Sequence, residues 1–335
     1  MSRLHREGDA SAHVTCGRNF IGTVQAATAL WLGFCGPTTA NSDASVMAPL
    51  VAESLLLDGA VSESRLTVVG ERGHIVISSD DGASWRQANV PTRVLLTAVH
   101  MHDALVGWAV GHDAVILRTS DGGESWAIVH EAPEEQLPLL DVWFKDQYRG
   151  FAVGAYGYAL ATEDGGDTWS RVAISGDDYH LNALIPATGQ GAGPTRLYIA
   201  AEAGVIYRSE DGGDSWKELE SPYAGSWFGG LALNEEEVIL TGLRGNLFRS
   251  GDSGNTWQRI STGTQATLTS AVLLSSGAIM VTGLEGVVLI SHNGGRSVVS
   301  RNLPTREGIS TALPLADGGV LLVGEFGVVR FSQND

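Results

Sequence analysis

SSDDGASW, Ser78 to Trp85, is followed by TSDGGESW at Thr119 to Trp126, TEDGGDTW at Thr162 to Trp169, SEDGGDSW at Ser209 to Trp216 and SGDSGNTW at Ser250 to Trp257. A worn sixth copy, SHNGGRSV, spans Ser291 to Val298. Their first residues lie 41, 43, 47, 41 and 41 positions apart, and one more step of 41 reaches Ser332 in the closing FSQND. Seven repeats with a period in the forties and strand-like content read as a propeller or a solenoid.

Ahead of each octapeptide stands a second phrase: VVGERGHIVIS, AVGHDAVILRT, AVGAYGYALAT, IAAEAGVIYRS, LTGLRGNLFRS, VTGLEGVVLIS and LVGEFGVVRFS. Each reads as two short strands joined by a glycine-bearing hairpin turn. A further apolar run precedes the pair, at Leu96 to Met101, Leu139 to Phe144, Leu181 to Ile185, Phe228 to Leu233, Leu268 to Leu274 and Ile309 to Leu315. A fourth run follows each tryptophan. Four strands per unit and seven units predict an all-β, seven-bladed propeller of four-stranded antiparallel blades.

The octapeptide reads as turn chemistry. Its aspartate (Asp80, Asp121, Asp164, Asp211, Asp252) accepts backbone N–H groups, its glycine supplies positive φ, and its tryptophan (Trp85, Trp126, Trp169, Trp216, Trp257) packs between blades. One or two carboxylates per turn are too few for a calcium site, so no metal or cofactor is expected. His100, His102 and His112 form a conceivable three-nitrogen set for zinc or copper, although His102 reads as the start of a loop.

These phrases resemble the Asp-box (BNR) repeat proteins. The combination AVG-x-x-G-x-I-x-x-S-x-D-G-G-x-T-W is similar to the Ycf48/HCF136-type branch, over about residues 60 to 335. The resemblance implies a propeller and a role in photosystem II assembly and stability, or a similar service to another envelope complex. In that family an arginine-rich patch meets the client, whereas here the arginines are scattered among many acids.

The last repeat ends after its third strand, so something must cover its edge. Ser45 to Leu57 is expected to supply the outermost strand of the last blade. Residues 1–44 read as a signal peptide and leader, with Arg3, Arg6 and Arg18 ahead of a 17-residue apolar stretch, Phe20 to Gly36, and small residues beyond. Cleavage after Ala40 or Ala44 would leave a single domain, residues 45–335, in the periplasm or another extracytoplasmic space. Cys16 and Cys35 both fall in the leader, so the mature chain has no thiol chemistry. The net charge of −17 argues against nucleic acid and anionic lipid as partners.

The octapeptide turns should line one face of the disc, and the hairpin turns and blade-to-blade connections the other. Variable loops on a rigid scaffold are where binding usually resides. Tyr156, Tyr179, Tyr223, Trp227, Phe228 and Phe326 are the expected aromatic contacts, with Arg72 and Arg244 as polar anchors. The expected partner is a protein, an integral membrane protein or complex. The competing reading is a sialidase-like glycoside hydrolase using two of Glu71, Asp113, Glu202, Glu285 and Glu325. Against it, the chain lacks the Phe/Tyr-Arg-Ile-Pro phrase, and Arg72 and Arg244 stand four blades apart.

Overall fold

The computed structural model describes residues 43–187 and 196–331. Residues 1–42 of the expected leader, with both cysteines and the first of the two expected cleavage sites, after Ala40, and the closing Ser332 to Asp335 lie outside them. Seven antiparallel sheets follow one another along the chain, six of four strands and the last of three. The protein is a seven-bladed β-propeller.

The innermost strands are Leu56–Ser62, Leu96–Met101, Leu139–Phe144, Leu181–Ala187, Trp227–Ala232, Leu268–Leu273 and Ile309–Pro314. Each begins with a fully or almost fully buried apolar residue, and each carries a register shift immediately after it. An extra residue at that point bends the strand and re-aims its neighbours. The displaced residues are Leu57, Thr97, Leu140, Asn182, Phe228, Thr269 and Ser310, and all seven line a central channel.

Each seam between blades has its own apolar core. Between the second and third blades Trp108, fully buried, stacks flat on Phe144 at 3.4 Å between ring centroids and donates its indole N–H to the Gly165 carbonyl at 3.1 Å. The octapeptide tryptophans reach back to the preceding blade: Trp126 packs with Val69 and Ile75, Trp169 with Trp108, Trp216 with Phe151 and Trp257 with Tyr198. Trp85 of the first blade packs with Leu313 and Leu321 of the seventh, so the closing seam is built like the others.

The octapeptide is a self-contained hydrogen-bonded turn. Asp121 accepts from the Thr119 hydroxyl at 2.8 Å, the Ser125 amide at 3.0 Å and the Ser125 hydroxyl at 2.6 Å, while the Gly123 amide donates to Thr119 Oγ1 at 3.0 Å. The same pattern recurs at Asp80, Asp164, Asp211 and Asp252. These bonds favour the ionised carboxyl and hold Asp80, Asp164 and Asp211 down to about 2.

The N-terminal segment corrects one expectation. Leu56 and Leu57 belong to the inner strand of the first blade, and residues 45–55 form a loop with a single 3-10 turn at Val51–Glu53, not a strand of the seventh blade. That blade has three strands among the described residues. The loop instead takes the place that a blade-to-blade connection takes elsewhere. The amide opening each hairpin turn donates to a connection carbonyl, as His112 does to Leu95 at 2.9 Å, and Glu71 donates to Leu55 at 3.1 Å in the same way. Gly327, at φ 82°, lies so close to this loop that a Cβ would stand 1.9 Å from the Ala52 carbonyl oxygen, as one on Gly73 would stand 2.0 Å from that of Thr92. Among the described residues this loop gives the first hairpin turn the carbonyl partner that a connection gives the others, and no strand of it pairs with the outer edge of the seventh blade. Val51 adds a buried side chain to the closing core.

Candidate functional site: the turn face and the channel

Six hairpin turns share one backbone shape. The middle residue of each stands in the left-handed region: Arg72 at φ 56°, Asp113 at 57°, Tyr156 at 54°, Ala203 at 55°, Arg244 at 56° and Glu285 at 58°. That conformation is uncommon for residues with a side chain. Here it is fixed by the flanking turn and lifts one variable residue per blade to the tip. Arg72, Tyr156 and Arg244 are all exposed there, Tyr156 at 57%.

The expected aromatic contacts divide. Tyr156 stands edge-on to His180 at 4.7 Å, and the His180 imidazole lies 3.7 Å from the Glu202 carboxylate. Phe228, 36% exposed, is a channel residue. Tyr179 packs on the core between the third and fourth blades, and Phe326 on that between the sixth and seventh. Tyr223 is half-buried against Trp227 and Phe248. Trp227 is fully buried and donates its N–H to the Gly204 carbonyl at 3.0 Å, so as a surface contact that residue is corrected. It fills the apolar position that opens each inner strand, where the other blades carry leucine or isoleucine.

Arginine use differs between the faces. Next to the octapeptides, Arg65 reaches Glu124, Arg118 reaches Asp167 at 2.7 Å and Arg149 reaches Asp214 at 3.4 Å, each on the following blade. Arg249 donates to the Gly294 carbonyl of its following blade. Exposed pairs of this kind contribute little stability individually but orient the side chains. On the turn face Arg72 lies 3.9 Å from Glu71, and Arg244 lines a cleft with Tyr223, Asn246, Arg259, Thr264 and Gln265.

The acids proposed for catalysis are occupied locally in two blades. Glu202 accepts the His180 amide at 3.0 Å and Glu325 the Gly308 amide at 2.7 Å. The histidine set does not assemble, because His102 follows the inner strand Leu96–Met101 while His112 follows its antiparallel partner Gly107–Gly111, at the opposite end. Burial, with His102 nearby, pushes His100 down to about 4.

Sequence reasoning missed the channel carboxyls. The cavity, about 200 Å³, is lined by residues of every inner strand and holds Asp58 of the first blade and Asp141 of the third. Both are half-buried on its wall. Asp58 accepts the Val99 amide at 2.9 Å, and Asp141 accepts the Leu184 amide at 2.7 Å and its neighbour Val142 at 2.7 Å. Enclosure raises Asp58 to about 6; enclosure, reinforced by the charge of Asp58, raises Asp141 to about 7. Aligning the inner strands at their first residue would have exposed both, as acids in a column otherwise filled by Ala98, Ala183, Gly229, Ser270 and Thr311.

Residues 77–228 match the family model described as photosynthesis system II assembly factor YCF48. The photosystem II assembly lipoprotein Ycf48 of Picosynechococcus sp. is 40% identical over 141 residues, 40% of this chain and 39% of the relative. The photosystem II stability/assembly factor HCF136, chloroplastic, of Cyanidioschyzon merolae is 41% identical over 149 residues, 41% of this chain and 32% of the relative. The aligned stretch thus spans less than half the length of these curated relatives. Among solved structures, one described as YCF48 bound to D1 peptide superposes with a TM-score of 0.69 at 15% identity, over 87% of this chain and 94% of that one. A virginiamycin B lyase from Staphylococcus aureus superposes with a TM-score of 0.70 at 12% identity, over 83% and 94%, so the same fold also serves enzymes. The chain is a seven-bladed β-propeller whose repeats resemble the photosystem II assembly factors of the Ycf48/HCF136 family.

Proposed function

We propose that this protein is a non-catalytic, extracytoplasmic binding module that assists the assembly or stability of a membrane protein complex. The resemblance to Ycf48 and HCF136 supports an assembly role, and the names of the two curated relatives, a lipoprotein and a chloroplastic factor, support a setting outside the cytoplasm. The complex is photosystem II if the organism is phototrophic, and another envelope complex otherwise.

The observation that carries the reading is the set of exposed turn tips, Arg72, Tyr156 and Arg244, raised on a rigid disc. A rigid aromatic and arginines are side chains that dominate protein interfaces. A photo-crosslinker at Tyr156 should capture an integral membrane protein from native membranes, and the same probe at Lys217, on the outer strand Lys217–Glu218, should not. Combining Arg72→Ala and Arg244→Ala should reduce capture at least roughly tenfold with an unchanged melting temperature. Equal capture from both positions, or turnover of sialoside or glucoside reporters, would overturn the reading.

A further inference from the structure

At six of the seven seams a side chain of one inner strand bonds to the next inner strand across the channel wall. Thr97 donates to the Leu139 carbonyl at 2.8 Å, Asn182 to Trp227 at 2.7 Å, Thr269 to Ile309 at 2.7 Å and Ser310 to Leu56 at 3.1 Å. None of these donors changes charge. At the seam between the first and second blades, and again between the third and fourth, the bridge runs the other way, with a carboxyl accepting the next blade's amide.

We propose that Asp58 and Asp141 form a pH-responsive lock at the centre of the disc: protonated, they leave the channel uncharged, and ionised, they place two like charges without a counter-ion on its wall, which the amide bonds from Val99 and Leu184 offset only in part. The geometry explains the response. Among the described residues no lysine, arginine or histidine lines the channel, so each carboxylate has backbone amides for company but no counter-charge, and the two acids are the ionisable groups of the described lining. Ionisable groups on the elements packed against their strands are Arg65, His100, His112 and Asp113, and none of them lines the cavity. Arg65 is taken up by the Gly122 carbonyl and Glu124, and His100 stacks on Phe144. Enclosure without a cation favours the neutral acid.

The sign follows from linkage. Both groups bind protons more tightly folded than unfolded, near 6 and 7 against 3.8. Their contribution is therefore fully present below pH 3.8 and is lost as pH rises through 6 and 7. The protein would be tightest in an acidic compartment and would slacken toward alkaline pH.

The test is thermal unfolding of the full chain from pH 5 to pH 8, beside a variant combining Asp58→Asn and Asp141→Asn. Overall acidity acts on both proteins alike, so the difference between them reports the pair. The melting temperature of the variant should gain roughly 5 °C on that of the wild type between the two pH values. Parallel curves would refute the lock. Should the variant not fold, carboxyl carbon NMR of the wild type labelled at aspartate decides: two carboxyls titrating between pH 5.5 and 7.5 uphold the lock, and none titrating above about pH 4.5 overturns it.

Discussion

The aspartates of the octapeptide turns and those of the channel are the same residue put to opposite uses. Asp80, Asp164 and Asp211 sit in solvent, each surrounded by hydroxyl and amide donors that only a carboxylate satisfies, and are held near 2. Asp58 and Asp141 are half-buried on the channel wall with fewer donors and, among the described residues, no cation, and rise to about 6 and 7. The stabilising contribution of the first group is present above pH 3.8 and fades as pH falls through 2, whereas that of the second fades as pH rises through 6 and 7. The local donor set and the enclosure therefore decide what an aspartate does, and a sequence motif reports only the former.

Adding a third acid to the channel gives the largest test of this contrast. Ala98 is 3% exposed and lies in the second blade, between the two aspartates. Ala98→Asp should cost roughly 2–4 kcal/mol at pH 8 and distinctly less at pH 5, as measured by urea unfolding. A cost independent of pH would mean that packing, not charge, governs the channel.

Emptying one octapeptide comes next. Asp121→Ala strands the Ser125 amide and two hydroxyls that water can partly satisfy, and should cost roughly 1–2 kcal/mol with no pH dependence between 5 and 8. The smallest effect is expected from Asp252→Asn. The sixth repeat already carries Asn293, which accepts the Ser297 amide at 3.0 Å and donates to the Ser297 hydroxyl at 2.9 Å. The melting temperature should fall by less than about 2 °C. A larger drop would show that the negative charge itself holds the turn.

Much of the fold was legible because the octapeptide is a local structure. Its bonds run between residues two and four apart, so the motif implies the turn, and the seven hairpin phrases that share its spacing imply seven blades. Two features were hidden because they depend on distant partners. Residues 45–55 carry no repeat phrase, and their place is set by Gly327 of the last strand and Glu71 of the first hairpin turn. Trp227 looked like a loop aromatic in ESPYAGSWF, since the fifth inner strand was expected to start at Phe228, one residue too late. A slip of one position exchanges inside for outside in a strand. The tips Arg72, Tyr156 and Arg244 were readable for the opposite reason, because the glycine after each fixes the turn and leaves the tip free to vary.

One seam differs from the rest. Between the fifth and sixth blades the channel position holds Phe228, and Gly229 brings the backbone against Thr269, where a Cβ would stand 2.6 Å from the carbonyl oxygen. Among the described residues no side chain of the fifth inner strand ties it to the sixth at the channel. A wedge driven into the middle would part the disc there, as a split washer opens at its cut, and single-molecule pulling across that joint should meet the lowest rupture force on the circumference.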